Sequence, residues 1–228
     1  MQFSFNSLKE EIELFTPSEH LDAKVETFDQ DQKLVIVDNF WKYPDKIRKL
    51  ALSIPPTYNP RINGGLAGKR VDVPYYMSHL QPVFADIMAE VFPEYFSDDY
   101  VQQCLDVSPF TVNKQTSQLP PCIPHIDNEH PGKIAAGIFL NTPEECAGGT
   151  AFYRYKGNNS YRDLERENVL SNYSYYVQDT NKEWTKTHLV EMRYNRFVMY
   201  KQNILHTAYV PPNSFTEETP RLMQMYFL

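Results

Sequence analysis

Apolar and polar positions follow two different periods along this chain. Leu34-Val35-Ile36-Val37 is an unbroken, mostly β-branched run, the pattern of a buried strand. Asp38-Asn39 ends it. Tyr43-Pro44-Asp45 then predicts a helix start, because proline suits a first turn and an acid there favours the helix dipole. Ile47, Leu50 and Ala51 give that helix an apolar face, and Pro55-Pro56 stops it. Residues 80–92 predict a second amphipathic helix. Val83, Phe84, Ile87, Met88 and Val91 recur there at helical spacings, and Pro93 ends it. Residues 55–75 read as a loop punctuated by proline and glycine, and 61–70 as a flap or a solvated loop. Residues 1–32 are polar and weakly periodic, and read as a loosely attached arm or short edge elements. From about Tyr100 the pattern predicts strands at 100–107, 134–140, 150–153, 187–192, 196–200 and 222–227. A polar, tyrosine-rich insert spans 154–186, where Ser160 is placed to cap a short helix through Leu170. It reads as a lid or binding wall, an interface or a solvated loop. Helices first and strands after give an α+β chain, with an arm at 1–32 and a single domain over 33–228.

Composition narrows the function classes. Lys and Arg number 22 against 29 Asp and Glu, so the net charge is −7. That argues against charge-driven binding to nucleic acid or to an anionic membrane surface. With 16 Tyr, 14 Phe and 2 Trp the chain is expected to fold. Cys104, Cys122 and Cys146 are odd in number and widely spaced, which disfavours a disulfide framework or a cysteine zinc site and fits a reducing, cytoplasmic compartment. The first residues reach Lys9, Glu10 and Glu11 before any long apolar run, so no signal peptide is expected. The apolar runs are also too short for a membrane span.

The most informative segment is Pro124-His125-Ile126-Asp127. In an extended strand residues i and i+2 share a face, so His125 and Asp127 would present an imidazole and a carboxylate to one point. That is two thirds of the facial triad that holds non-haem Fe(II). Alone, the pair reads more readily as a surface turn capped by the Asp. A third ligand must come from a distant segment. His206, after the strand at 196–200 and a short turn, suits that role, the other reading being a hydrogen-bonded core histidine. His130 and His188 suit it less, and His20 and His79 read as structural. Arg221 opens the final strand, where its guanidinium could clamp a carboxylate through two parallel hydrogen bonds; it could equally be a surface arginine. Gly148-Gly149 reads as a tight strand corner or an ordinary hairpin turn. Asn195-Arg196 reads as a turn leading into a strand, with Arg196 as a second carboxylate binder in the alternative.

In order, these pieces resemble the 2-oxoglutarate/Fe(II)-dependent dioxygenase superfamily. They are Pro124-His-Ile-Asp127, Ala136-Gly-Ile-Phe-Leu-Asn141, Gly148-Gly-Thr-Ala-Phe152, Asn195-Arg-Phe-Val-Met-Tyr200, Leu205-His206-Thr-Ala208 and Arg221-Leu-Met-Gln-Met-Tyr-Phe227. The chain is also similar, over 33–228, to a bacterial family of unknown function within that superfamily. The shared features are the opening Val37-Asp-Asn-Phe40 and the helix after Tyr43-Pro-Asp45. The resemblance implies a double-stranded β-helix (jelly-roll) core with N-terminal helices packed on one sheet. It implies His125, Asp127 and His206 as Fe(II) ligands, with no catalytic residue beyond them. It implies Arg221 as the binder of the distal carboxylate of 2-oxoglutarate, and a small-molecule or side-chain substrate. Asp127, a carboxylate where related halogenases carry a small residue, implies hydroxylation or desaturation. The chain departs from the pattern in its proline-rich Leu119-Pro-Pro121, where no co-substrate-binding tyrosine is found, and in its long insert. A non-catalytic jelly-roll binding protein and a cupin-like metalloenzyme without 2-oxoglutarate are the alternatives.

Overall fold

The structure, a computed structural model, describes residues 7–55, 69–73, 75, 77–106, 110–117, 123–157 and 177–228. In chain order the elements are α1 (Leu8–Leu14), β1 (Ala23–Phe28), β2 (Gln32–Val37), α2 (Pro44–Ser53), β3 (Lys69–Val73), α3 (Gln81–Val91), α4 (Asp98–Asp106) and β4 (Phe110–Gln115). There follow β5 (Ile134–Phe139), β6 (Gly149–Tyr155), β7 (Trp184–Glu191), β8 (Phe197–Lys201), β9 (His206–Tyr209) and β10 (Arg221–Phe227). The architecture is helices with antiparallel sheet. One sheet has seven strands in the order β1-β2-β8-β5-β10-β4-β3, and a second has three in the order β7-β6-β9.

The large sheet is covered on both faces, which explains its unbroken apolar strands. Val35 and Val37, Ala136 and Ile138, and Phe197 and Met199 turn to one face. There they pack against Ile47 and Leu50 of α2, Phe84 and Met88 of α3, and Val101 and Leu105 of α4. Leu34 and Ile36, Ala135 and Phe139, and Val198 and Tyr200 turn to the other face and share a core with Phe152 and Val190 of the small sheet. A strand sandwiched between layers has no polar face to alternate with. A hydrogen bond between His188 and Glu26 at 3.0 Å and an ion pair between Arg154 and Asp29 bind the sheets together at the β1 edge.

Several sequence expectations are corrected. Residues 98–106 form α4, not the strand expected at 100–107. Val101 and Leu105 are buried four residues apart on one helix face, with Asp98 and Asp99 favouring the N-terminus. The β-prone Tyr100 and Val101 concealed that period. β3 lies within the expected loop at 55–75, and β4, whose last residues are polar, was not expected. Within 1–32, β1 pairs with β2 along its full length, and Phe15 is fully buried against Trp41 and Phe110. Trp184, at the end of the insert, is a buried core residue whose ring packs against Tyr155 at 5.1 Å, tilted by 55°. The helix expected from Ser160, most of the loop at 61–70, Pro120-Pro121 and Cys122 lie outside the described residues. Cys104 and Cys146 form no disulfide. Among the described residues no helix is long and apolar enough to cross a membrane.

Candidate metal centre

His125 and Asp127 lie on an irregular segment beside the open end of β9. The His125 amide donates to the carbonyl of His206 (3.0 Å), and the His206 amide returns a bond to the carbonyl of His125 (2.9 Å). This isolated bridge sets the two imidazoles side by side, ring centroids 4.7 Å apart. His206 begins β9, paired with Phe152 of β6, and its ring meets Tyr200 edge-on at 4.8 Å. Asp127 closes the triangle. Its two carboxylate oxygens lie 3.5 Å from His125 Nε2 and 3.4 Å from His206 Nε2. One ligand atom from each of the three residues falls within 4.8 Å of the others.

The hydrogen bonds behind the rings decide what the front nitrogens can do. His125 Nδ1 meets the carbonyl of Ile123 at 3.0 Å, and His206 Nδ1 meets the carbonyl of Ile204 at 2.8 Å. A carbonyl oxygen only accepts, so each Nδ1 carries the hydrogen and donates it. In the neutral rings both Nε2 lone pairs then face a carboxylate. Lone pairs and carboxylate oxygens repel unless protons or a cation lie between them. A divalent ion bound by both Nε2 atoms and the carboxylate satisfies all three, and backbone carbonyls that fix the ring tautomer are what metal-binding histidines use. Burial pushes the Asp127 carboxyl up, but the positive charge that His206 and His125 carry when protonated outweighs it and holds the group well below the usual carboxylate range; a bound cation supplies the same attraction with the rings neutral. The donor set of two imidazoles and one carboxylate therefore fits a facially bound metal.

The triad sits on the wall of a cavity of about 60 Å³ between the two sheets. Arg221 reaches the same cavity from β10 and is only 2% exposed. Its Nη2 donates to the carbonyl of Gly149 at 3.1 Å, and its guanidinium lies over the Phe139 ring at 5.4 Å. The glycine pair makes this approach possible. Gly148 has φ +68°, and a Cβ there would meet the Tyr209 carbonyl oxygen at 2.0 Å; a Cβ on Gly149 would meet that of Val190 at 1.9 Å. Only glycine lets the start of β6 lie so close to both neighbours and offer its carbonyl to Arg221.

The other residues singled out from the sequence lie elsewhere. Arg196 is not a ligand-facing carboxylate binder. Its Nε and Nη2 bond Asp38 at 2.6 and 2.8 Å, and its Nη1 bonds the Glu191 carbonyl. His188 pairs with Glu26, His130 Nδ1 accepts from the Gly132 amide, and His79 Nε2 bonds the Phe15 carbonyl. Sequence reading missed the polar cavity lining of Asn113, Gln115 and Thr150. The signal was present in β4, where Asn113 and Gln115 alternate at the two-residue period of a strand whose face turns into a polar site.

Comparison with solved structures finds HygX from Streptomyces hygroscopicus, with nickel and 2-oxoglutarate bound, at 15% identity and a TM-score of 0.45, covering 85% of this chain and 81% of that one. HygX with hygromycin B also bound is matched at 13% identity and a TM-score of 0.39, over 85% of this chain and 80% of that one. An N-substituted L-amino acid dioxygenase from Burkholderia ambifaria AMMD is matched at 9% identity and a TM-score of 0.39, over 86% and 81% of the two chains. No curated protein matches the chain. A family model does match it, across residues 19–222, and that span takes in β1 to β9, the first two residues of β10, the three clustered ligand residues and Arg221. The chain therefore belongs to the family of unknown function DUF6445.

Proposed function

We propose that this chain is a non-haem Fe(II) oxygenase that uses 2-oxoglutarate as co-substrate and acts on a small molecule or an amino-acid side chain. The observation that carries the reading is the meeting of His125, Asp127 and His206 at one wall of a cavity that a buried arginine also lines. His125 and His206 hold the metal through Nε2, each ring locked by its own Nδ1 bond, and Asp127 supplies the negative charge. Arg221 binds the distal carboxylate of 2-oxoglutarate, its guanidinium oriented by the Gly149 carbonyl and the Phe139 ring. When bound, Fe(II) with 2-oxoglutarate supplies oxidation by O2: the co-substrate leaves as succinate and CO2, and one oxygen atom enters a C–H bond of the substrate. The two facing sheets, on this reading, are a double-stranded β-helix. Residues 33–228 are then the catalytic domain, its large sheet extended by β1 and its core by Leu14 and Phe15, working in the reducing cytoplasm.

Anaerobic calorimetry tests the reading. Mn(II) or Fe(II) should bind at micromolar concentration, and 2-oxoglutarate should bind only to the metal-loaded protein. Admission of O2 should then yield succinate. Failure to bind either metal overturns the reading in favour of a non-catalytic binding protein. Metal binding without 2-oxoglutarate binding overturns it in favour of a metalloenzyme of another class.

A further inference from the structure

The three clustered residues are held by unequal scaffolding. His206 belongs to β9 and is paired along β6. Asp127 belongs to no strand. Its amide donates to the carbonyl of Gln202 at 3.0 Å, in the turn that links β8 to β9. The carboxylate therefore hangs from that turn, and its position is only as definite as the turn's.

Gln202 makes the turn definite. Its residue is 4% exposed, on a connection of the kind that usually faces water. Its amide donates to the Lys133 carbonyl at 2.8 Å. Its side-chain Nε2 donates to the carbonyls of Ile134 at 2.8 Å and of Leu228 at 3.3 Å. Ile134 and Leu228 already exchange two backbone hydrogen bonds of 2.7 Å where β5 meets the segment after β10. One carboxamide thus ties the β8–β9 turn to the ends of two neighbouring strands. No other side chain of this shape does so: glutamate would turn an oxygen toward two carbonyl oxygens, and leucine would donate nothing.

We infer that Gln202 is the positioning residue for the Asp127 carboxylate and so sets the affinity and geometry of the metal centre. This rests on the metal reading above. A distinction follows from the bonding. The Ile134 and Leu228 carbonyls each keep a backbone donor when the Gln202 amide is lost, so the strand ends remain satisfied. Loss of the amide loosens the turn far more than it unfolds the protein. Metal affinity and global stability should then part company.

The test uses the full chain and Mn(II), with Co(II) as a spectroscopic probe. Gln202→Leu should weaken Mn(II) binding by about 10-fold or more, the scale found when groups that orient metal ligands are removed. It should also alter the visible absorption of bound Co(II). The control is Gln224→Leu, which removes a fully buried amide that bonds Trp41 and Tyr226 on the helix-facing side of the sheet. It should lower the melting temperature yet leave Mn(II) affinity within about twofold of wild type, since it contacts neither a ligand residue nor its scaffold. If Gln202→Leu does not fold, Gln202→Asn, which keeps the amide one methylene short, is read in the same way. A folded Gln202 variant with wild-type Mn(II) affinity and an unchanged Co(II) spectrum overturns the inference, as does an equal loss of affinity in Gln224→Leu. Wild-type protein that takes up no metal overturns instead the reading on which it stands.

Discussion

Replacement of Asn195 offers a quantitative test of how the site's framework is built. Asn195 is 3% exposed and adopts φ 59°, a left-handed conformation. Its Oδ1 accepts from the Trp41 amide and its Nδ2 donates to the Trp41 carbonyl, both at 2.9 Å. The side chain thereby satisfies both polar groups of one buried peptide segment and fastens the chain after β2 to the start of β8. Asn195→Ala removes both bonds and leaves two buried backbone groups without these partners, a cost of about 1–3 kcal/mol each. Alanine in the left-handed region adds roughly 1–2 kcal/mol. Asn195→Gly loses the same hydrogen bonds but not the conformational freedom, although glycine gives back about 0.5–1 kcal/mol through the unfolded chain. Both variants should therefore lose several kcal/mol of a total stability of about 5–15 kcal/mol, with alanine worse than glycine by roughly 1 kcal/mol. Equilibrium urea unfolding, followed by tryptophan fluorescence and by circular dichroism at constant m, measures both differences. An alanine variant within about 0.5 kcal/mol of wild type refutes the bonding argument. A glycine variant as unstable as the alanine variant refutes the strain argument.

Two further outcomes are expected. Arg221→Leu should weaken 2-oxoglutarate binding at least about 10-fold, as the loss of a charged hydrogen-bond partner implies, with Mn(II) affinity within about twofold of wild type by calorimetry; equal loss of both in folded protein would show that Arg221 supports the fold around the metal instead. The Arg196 hydrogen bonds hold the Asp38 carboxyl below its usual range despite partial burial. A depressed folded-state value means a stabilising contribution complete above about pH 4 and lost as the pH falls through the acid range. In melts from neutral to acid pH, the gap in melting temperature between wild type and Asp38→Asn should close below that point, and a gap that stays constant contradicts the assignment.

Legibility in the sequence followed how local each signal was. The strand at 34–37 and the helices after Pro44 and at 80–92 were readable because their apolar periods are complete within a few residues, and punctuation by proline and asparagine marks their ends. β4 was missed and α4 misread in part for a shared reason, which in α4 adds to its β-prone Tyr100 and Val101. Each faces two environments, and the residues that serve the polar cavity or the solvent dilute the apolar period. His125 and Asp127 were legible as a pair through their spacing, and His206 through the pattern of motifs around it. Arg196 was legible as the entry to a strand but not as the partner of Asp38, which is distant in the chain and adjacent only across the β2–β8 pairing.

Residue types and short-range periods thus determined, without any coordinates, which segments could be strands or helices and which side chains could bind a metal or an anion. Tertiary structure alone decided the rest. It alone shows that His125 and His206 exchange backbone bonds, that both Nδ1 atoms donate backward so that both Nε2 atoms face Asp127, and that Gln202 carries the turn from which Asp127 hangs. These are contacts between segments far apart in the chain. Their energies depend on direction and distance, which pairing of strands and packing of layers set and which no local pattern encodes.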